Sequence, residues 1–160
     1  MQRIFSLTAV VILLDQATKQ LARVFLRDTE RQVTLVADWL QLTYVENPGI
    51  AFGVTPGSRF TLVAMTFVIL LGILFYVIRS SNRNPEFMTA FGLILGGGLG
   101  NLIDRTLIGR VVDFIHFDLY NGYLFNTWVS LWPVFNIADS AITIGAAWLV
   151  FRYTHIFNEQ

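Results

Sequence analysis

Apolar residues along this chain gather into four long segments, and two more polar stretches lie between them. The segments cover about residues 4–25, 60–78, 87–107 and 133–152, and residues 60–78 contain no charged side chain. A helix of about 20 mostly apolar residues crosses the hydrocarbon core of a bilayer, which is about 30 Å thick. A helix in a water-soluble bundle keeps a polar face, whereas residues 60–78 are apolar on every face. The pattern therefore predicts an integral membrane protein with four transmembrane helices.

The first polar stretch, about residues 26–59, contains a pattern that is typical of a β-strand. Between residues 33 and 45 apolar and polar side chains alternate, so that Leu40, Leu42 and Tyr44 fall on one side of a strand. Asn47-Pro48-Gly49 then predicts a turn, because proline fixes φ and glycine tolerates positive φ. We expect a small sheet on the membrane surface.

The second polar stretch, about residues 108–132, leads into a segment that is rich in aromatic residues. Eight of the twenty-two residues at 114–135 are Phe, Tyr or Trp. Such a density at the end of a span is typical of an interfacial belt, in which rings lie between water and lipid. A flap that covers a site is the alternative interpretation.

Composition supports the membrane assignment and narrows the chemistry. Of the 160 residues 54% are hydrophobic and 14% are charged, and the formal net charge is zero. A soluble domain carries about a quarter charged residues, so this chain has too little polar surface to coat a water-soluble globule. Zero net charge does not indicate nucleic acid as a partner. With no cysteine, disulfides and thiolate chemistry are excluded. Length and the lack of an internal repeat predict one domain over residues 1–160.

The distribution of arginines gives a weak indication of orientation. Arg3 before the first segment, Arg79 and Arg83 around a short loop, and Arg152 after the last segment would lie on one side. Four other arginines would lie opposite, so the positive-inside count is nearly balanced, and density places both termini in the cytoplasm. No small-x-small cleavage site follows the first apolar run, so we expect a retained span rather than a cleaved signal peptide.

Several ionisable residues lie at membrane depth, where a charge costs about 2.5–3.5 kcal/mol and needs a partner or a function. Asp139 is six residues past the start of the fourth segment, which is about 9 Å along a helix. Asp104 ends the third segment, Asp113 follows nine residues later, and Lys19 is in the outer half of the first, one turn above Asp15. Most of this polarity therefore falls at one level, just beneath the outer surface.

Two of these aspartates are candidates for a catalytic pair. Asp104 has Arg105 beside it and Asp15 has Lys19 at i+4, so both are expected to be charge-compensated. Asp113 and Asp139 have no cation at helical spacing. When two carboxylates meet, one keeps a proton and the other stays basic, so the pair can activate water for attack on a peptide carbonyl. The alternatives are a helix N-terminal carboxylate for Asp139 and a solvated loop charge for Asp113.

Small and amide-bearing residues sit near these acids. Gly92, Gly96 and Gly100, with Gly97 and Gly98 between them, are spaced to let helices touch backbone to backbone. Plain helix packing explains them, and a functional interpretation is that they bring the third segment against the fourth. Asn101 and Asn136 are expected to be buried amides that bond neighbouring helices or orient carboxylates.

The residues singled out so far resemble one family. The chain contains, in this order, Asp15-Gln16-Ala17-Thr18-Lys19, Asn47-Pro48-Gly49-Ile50-Ala51-Phe52-Gly53, Gly100-Asn101-Leu102-Ile103-Asp104-Arg105, Val111-Val112-Asp113-Phe114 and Phe135-Asn136-Ile137-Ala138-Asp139-Ser140. This set is similar to that of the lipoprotein signal peptidases (signal peptidase II), bacterial inner-membrane aspartyl peptidases. Each motif alone is modest, but five in this order between four apolar segments are specific, and they cover nearly the whole chain.

The resemblance implies a fold and a reaction. The fold would be an all-α membrane protein of four transmembrane helices with a small extracytoplasmic β-sheet cradle and an extracytoplasmic flap. The family removes signal peptides from diacylglyceryl-modified prolipoproteins on the amino side of the lipidated cysteine, near the outer face of the membrane. No cofactor or metal is expected, no oligomer is required, and the cyclic peptide globomycin is a family inhibitor.

The resemblance also assigns roles to individual residues. Asp113 and Asp139 match the catalytic dyad. The supporting or substrate-binding positions are Asn47, Asn101, Arg105, Asn136, Asp15, Lys19 and Asp104. The twenty-two residues between Asp113 and Asn136 form a long connection for the family.

Two other functions remain open from the residues alone. Intramembrane aspartates also relay protons, so a small proton- or ion-coupled transporter is the main alternative. A structural helper with polar contacts and no reaction is the second. Cleavage of a lipidated prolipoprotein by the purified protein would separate these functions.

Overall fold

A computed structural model describes residues 1–37, 39–49, 57–118, 121–124, 127–130 and 132–157, with the backbone alone at 121–124 and 127–130. Ile50 to Gly53 of the second motif therefore lie outside the described residues. So do most side chains of the aromatic stretch for which the sequence predicts a belt or a flap.

Each of the four apolar segments contains a helix, three of them long and one shorter. Helix α1 covers Gln2–Ala22 and continues as a π-helical turn over Arg23–Arg27, α2 covers Arg59–Arg79, α3 covers Pro85–Leu107, and α4 covers Ile137–Phe151, before a short α5 at Tyr153–Phe157. The first three are long and apolar enough to cross a bilayer, and α4 is a shorter apolar helix of 15 residues. Outward-facing side chains of α2, such as Phe67 and Val68, are more than half exposed at 51% and 66%. Such a surface fits a lipid environment.

The fourth helix begins later than the sequence predicts. Its N-cap is Asn136, whereas the apolar pattern starts at Pro133. The delay has a physical cause: Phe135 forms an antiparallel bridge with Ile115, so the chain is still extended there. Asp139 is consequently the third residue of the helix rather than about 9 Å along it.

The described part of the chain contains five strands between the helices. Strand β1 covers Val33–Val36, β2 Leu40–Asn47, β3 Val111–Phe117, β4 Asn121–Leu124 and β5 Thr127–Ser130. The first three form an antiparallel sheet in the order β1-β2-β3, and β4 pairs with β5. Residues 33–45 therefore contain two strands rather than one, because β1 pairs antiparallel with β2 and the Trp39 N–H donates back to the Val36 carbonyl oxygen at 3.2 Å. Leu42 and Tyr44 do share a side and pack against a buried cluster that includes Leu26 and Phe114.

The third strand carries Asp113 and was not predicted from sequence. Gly109, at φ +78°, makes the turn that reverses the chain after α3. Arg59 closes the same corner by donating from Nε to the carbonyl oxygen of Arg105 at 2.9 Å. Asp113 therefore stands on a paired strand, opposite Val45, and is not the solvated loop charge of the alternative interpretation.

Helix α3 lies at the centre and contacts α1, α2 and α4. Gly92, Gly96 and Gly100 face α1: a Cβ on Gly96 would come 2.6 Å from the Cβ of Val11. The close approach to α4 belongs instead to Gly97, whose Cβ would overlap the carbonyl oxygen of Ala138. The glycines at positions 92, 96 and 100 therefore serve mainly the contact with α1, and Gly97 between them gives the close approach to α4.

Candidate active site

Asp139 is held in the first turn of α4 by a reciprocal cap. The side chain of Asn136 accepts from the Asp139 N–H at 2.9 Å, and Asp139 Oδ2 accepts from the Asn136 N–H at 3.2 Å. This is a capping box, in which the side chains of the N-cap residue and of the third helical residue each accept from the other's backbone N–H. Asn101 of α3 donates from Nδ2 to Asp139 Oδ1 at 2.7 Å. Both carboxylate oxygens therefore have a fixed donor.

Asp113 is fixed by two other amide side chains. Asn136 donates from Nδ2 to Asp113 Oδ1 at 2.7 Å, and Asn47 donates from Nδ2 to Oδ2 at 3.2 Å. Asn47 is positioned because it ends β2 opposite Val111 and because its Oδ1 accepts from the Gly49 N–H at 2.9 Å. Only 2% of Asp113 is exposed.

Asn136 connects the two aspartates directly. Its backbone N–H and Oδ1 bind Asp139, while its Nδ2 binds Asp113, and the whole side chain is buried. Both carboxylates line one cavity of about 540 Å³. Among the described residues, no lysine or arginine nitrogen lies within 4.0 Å of either carboxylate. The structure thus brings together the two aspartates that lack a local cation.

The cavity has a polar end and an apolar wall. Asn47, Arg105 and the two aspartates form the polar end, and Trp132, Phe135, Ile142 and Ile144 contribute apolar surface. Ligand-binding pockets commonly have this composition, with mainly apolar walls and a few placed polar groups. Ser140 also lines the cavity, but its hydroxyl donates to the Asn136 carbonyl oxygen at 2.9 Å, as expected for a helix residue four positions after its acceptor.

Burial and a neighbouring charge change the acidity of Asp113. Loss of solvent raises its pKa, and the charge of Asp139 raises it further, so that the pKa reaches about 7 against an ordinary 3.8. The hydrogen bonds from Asn47 and Asn136 act in the opposite direction. A carboxyl group with this pKa holds a proton for a large part of the time near neutral pH.

The supporting acids Asp15 and Asp104 form a separate cluster around Lys19. Lys19 Nζ lies 2.8 Å from Asp15 Oδ2 and 3.1 Å from Asp104 Oδ2, and it donates to Asn101 Oδ1 at 2.9 Å. The pairing of Asp15 with Lys19 is as the sequence predicts. Asp104 does not pair with Arg105, because α3 turns Asp104 towards α1, where Lys19 and Arg23 lie.

Arg105 faces the cavity instead. It donates from Nη2 to the Gly49 carbonyl oxygen at 2.8 Å, and its Nε is buried without a partner in the described part of the chain. An unpaired buried donor costs about 1–3 kcal/mol, so a bound acceptor at this point would relieve a real penalty.

Sequence reasoning missed three contributors. The first is Gln16, which donates to Asp15 Oδ2, to the Gly100 carbonyl oxygen and to Asp104 Oδ1. The sequence places Gln16 in the first motif but indicates no role for it. The second is Gly97, which the sequence shows only as one of the glycines between Gly96 and Gly100, with no sign of its own contact with α4. The third is the Phe135 backbone, whose bridge to Ile115 aligns β3 with the start of α4. No group of three or more His, Cys, Asp or Glu side chains in the described ranges is placed to hold a metal ion.

Known proteins are similar to this chain in sequence and in fold. Residues 7–155 match the family described as Signal peptidase (SPase) II. The chain is 60% identical over 158 residues to the lipoprotein signal peptidase of Chlorobium phaeobacteroides (strain BS1), with 99% of each chain covered. It is 38% identical over 147 residues to the lipoprotein signal peptidase of Halothermothrix orenii (strain H 168 / OCM 544 / DSM 9562), with 92% of each covered.

A solved structure agrees with the sequence relatives. It is described as "Bacterial membrane enzyme structure by the in meso method at 2.3 A resolution", and it is similar at a TM-score of 0.80 and 29% identity, covering 100% of this chain and 93% of that one. Two buried carboxylates, several apolar helices and full-length relatives lead to the same assignment: the chain belongs to the signal peptidase II family, bacterial membrane peptidases of the aspartic type that cleave the signal peptides of prolipoproteins.

Proposed function

We propose that Asp113 and Asp139 are the catalytic pair of this peptidase and that a water molecule between them is the nucleophile. The observation that supports this most strongly is Asn136, which binds one carboxylate with its amide and the other through the helix cap. Because Asn136 hydrogen-bonds to both carboxylates, it keeps the two acids close although their negative charges repel each other.

The proposed reaction begins with one proton on the pair. The pKa of Asp113, raised by burial and by the charge of Asp139, supports its being the protonated member, which leaves Asp139 as the ionised one. Asp139 removes a proton from the water, the resulting hydroxide attacks the scissile carbonyl carbon, and the Asp113 proton stabilises the carbonyl oxygen. When the C–N bond breaks, the proton held by Asp139 passes to the leaving amine of the cysteine.

The cavity supports a substrate that enters as an extended peptide. We infer that the unpaired Nε of Arg105 binds a backbone carbonyl group of this peptide, and that the apolar wall contacts the signal peptide. The diacylglyceryl group on the cysteine would remain in the lipid. Asn101, Lys19, Asp15 and Asp104 would support the pair without touching substrate.

We infer four membrane spans in one domain, with both termini in the cytoplasm and the pair near the outer face. Asp139 is in the first turn of α4 and Asp104 lies three residues before the end of α3, so the ion cluster and the pair share one level near the helix ends. The scissile bond is next to the lipid-anchored cysteine and therefore lies near the headgroups. The catalytic pair would lie at the same level of the membrane. The sheet and the segment at 108–132 would form the cradle and flap over it.

The direct test is cleavage of a purified diacylglyceryl-modified prolipoprotein in detergent. Wild-type enzyme should release the signal peptide, and Asp113→Asn and Asp139→Asn should abolish the release while remaining folded. Asp28→Asn is the matched control, because Asp28 is half exposed and pairs with Arg27 at the surface. Cleavage that persists in either active-site variant would reject the assignment. Ion flux through liposomes without proteolysis would favour the transporter instead.

A further inference from the structure

Asp15, Lys19 and Asp104 form an ion cluster next to the catalytic pair, and stability alone does not explain why these charges are buried. Lys19 and Asp15 are 0% exposed and Asp104 is 2% exposed. Each ion removed from water costs several kcal/mol, and mutual attraction often does no more than balance that cost, so apolar packing would serve stability equally well. The contacts of the cluster beyond its own ion pairs therefore indicate its role.

Each acid of the cluster holds a backbone N–H that precedes a catalytic aspartate by one residue. Asp104 Oδ2 accepts from the Val112 N–H at 3.1 Å, immediately before Asp113. Asp15 Oδ1 accepts from the Ala138 N–H at 3.0 Å, immediately before Asp139. The two aspartates lie on different elements, β3 and α4, and the same cluster fixes the backbone of both.

Lys19 joins these two anchors and reaches the pair by a third route. Its three N–H groups have three acceptors: Asp15, Asp104 and the Oδ1 of Asn101. Because the Asn101 oxygen faces the ammonium group, its NH₂ must face Asp139, to which it donates at 2.7 Å. Asn136 Nδ2 donates to the same Asn101 oxygen at 3.2 Å, so Lys19 and Asn136 together set the orientation of this amide.

We propose that Asp15, Lys19 and Asp104 are positioning residues that set the separation of the catalytic carboxylates by fixing the Val112 and Ala138 backbone amides relative to each other. The proposal rests on the catalytic pair assigned above. It predicts that the acceptor on residue 104 matters for turnover, whereas the negative charge of that residue matters much less.

The test compares Asp104→Ala with Asp104→Asn in the prolipoprotein cleavage assay. Alanine leaves the Val112 N–H without an acceptor, and a displacement of about 1 Å can cost about 10²-fold in rate, so kcat should fall by about that factor. KM should stay within about twofold, because the cavity wall is unchanged. Asparagine keeps an acceptor and should restore kcat to within about threefold of the wild type.

Arg23→Gln is the control variant. Arg23 contacts the other oxygen of Asp104 at 3.5 Å and neither backbone amide, so this change should leave kcat and KM unaltered. All rates are measured well below the melting temperature of each variant and normalised to folded enzyme.

The outcomes separate this proposal from the assignment of the pair. An inactive wild type would reject the proposed function itself. An active wild type with Asp104→Ala at full kcat would reject the positioning role alone. If Asp104→Ala does not fold, Asp104→Asn decides: kcat within about threefold supports the proposal, and a loss of tenfold or more contradicts it.

Discussion

Replacing Gly97 by alanine should separate α3 from α4 at the level of the catalytic pair. A Cβ at this position would overlap the carbonyl oxygen of Ala138 and lie 2.8 Å from Ile142 Cγ1. The first obstacle is backbone in the opening turn of α4, so it cannot be relieved by a change of side-chain rotamer. The helix that carries Asp139 must therefore move.

The size of the movement follows from contact distances. Ordinary van der Waals contact begins at 3.4 Å, so α4 must shift by about 1 Å. The Asn101–Asp139 hydrogen bond, now 2.7 Å, would lengthen beyond the usual limit of about 3.2 Å. A misplacement of about 1 Å costs about 10²-fold in rate, so we expect kcat to fall by roughly that factor.

The assay is turnover of lipidated prolipoprotein by purified enzyme, with the melting temperature measured in the same detergent. Gly72→Ala is the matched control, because nothing lies within 4 Å of the added Cβ on α2. It should keep wild-type turnover. Full turnover by Gly97→Ala would refute the reasoning that backbone contact between α3 and α4 places Asp139.

Two further predictions concern acidity and orientation. Because the pKa of Asp113 is raised from 3.8 to about 7, its stabilising contribution is complete below pH 3.8 and is lost as the pH rises through about 7. The melting temperature of the wild type should therefore fall more steeply than that of Asp113→Asn between about pH 4 and 8, and equal slopes would contradict this. The chain has no native cysteine, so single cysteines can report the orientation. With both termini in the cytoplasm, Thr29→Cys should react with a membrane-impermeant maleimide on spheroplasts, and Ser81→Cys should react only after lysis. The reverse pattern would overturn the orientation.

The helices, and the choice of Asp113 and Asp139 as the candidate pair, could be derived from sequence because both depend on local pattern. Apolar length predicts where helices cross a bilayer, and a charge without a nearby cation is conspicuous in such a segment. Asp113 and Asp139 stood out for that reason, whereas Asp104 was wrongly paired with Arg105. Neighbours in sequence point to different sides of a helix, so adjacency was the wrong guide.

The sheet and the start of α4 depend on contacts between distant segments. Strand β3 exists because the turn at Gly109 returns the chain to β2, and Phe135 delays α4 by pairing with Ile115. Neither pairing has a signature in the local sequence. The bonds from Asp104 to Val112 and from Asp15 to Ala138 likewise involve backbone groups, which every residue except proline carries and which no motif can reveal.

The central claim is that Asp113 and Asp139 act as one unit. Single-turnover cleavage of lipidated prolipoprotein by Asp113→Asn, Asp139→Asn and the double variant measures this directly, because groups that act together lose their effect together. We predict that each single variant loses at least roughly 10³-fold and that the double variant loses no more. Losses that multiply in the double variant, or a single variant near the wild-type rate, would contradict the claim.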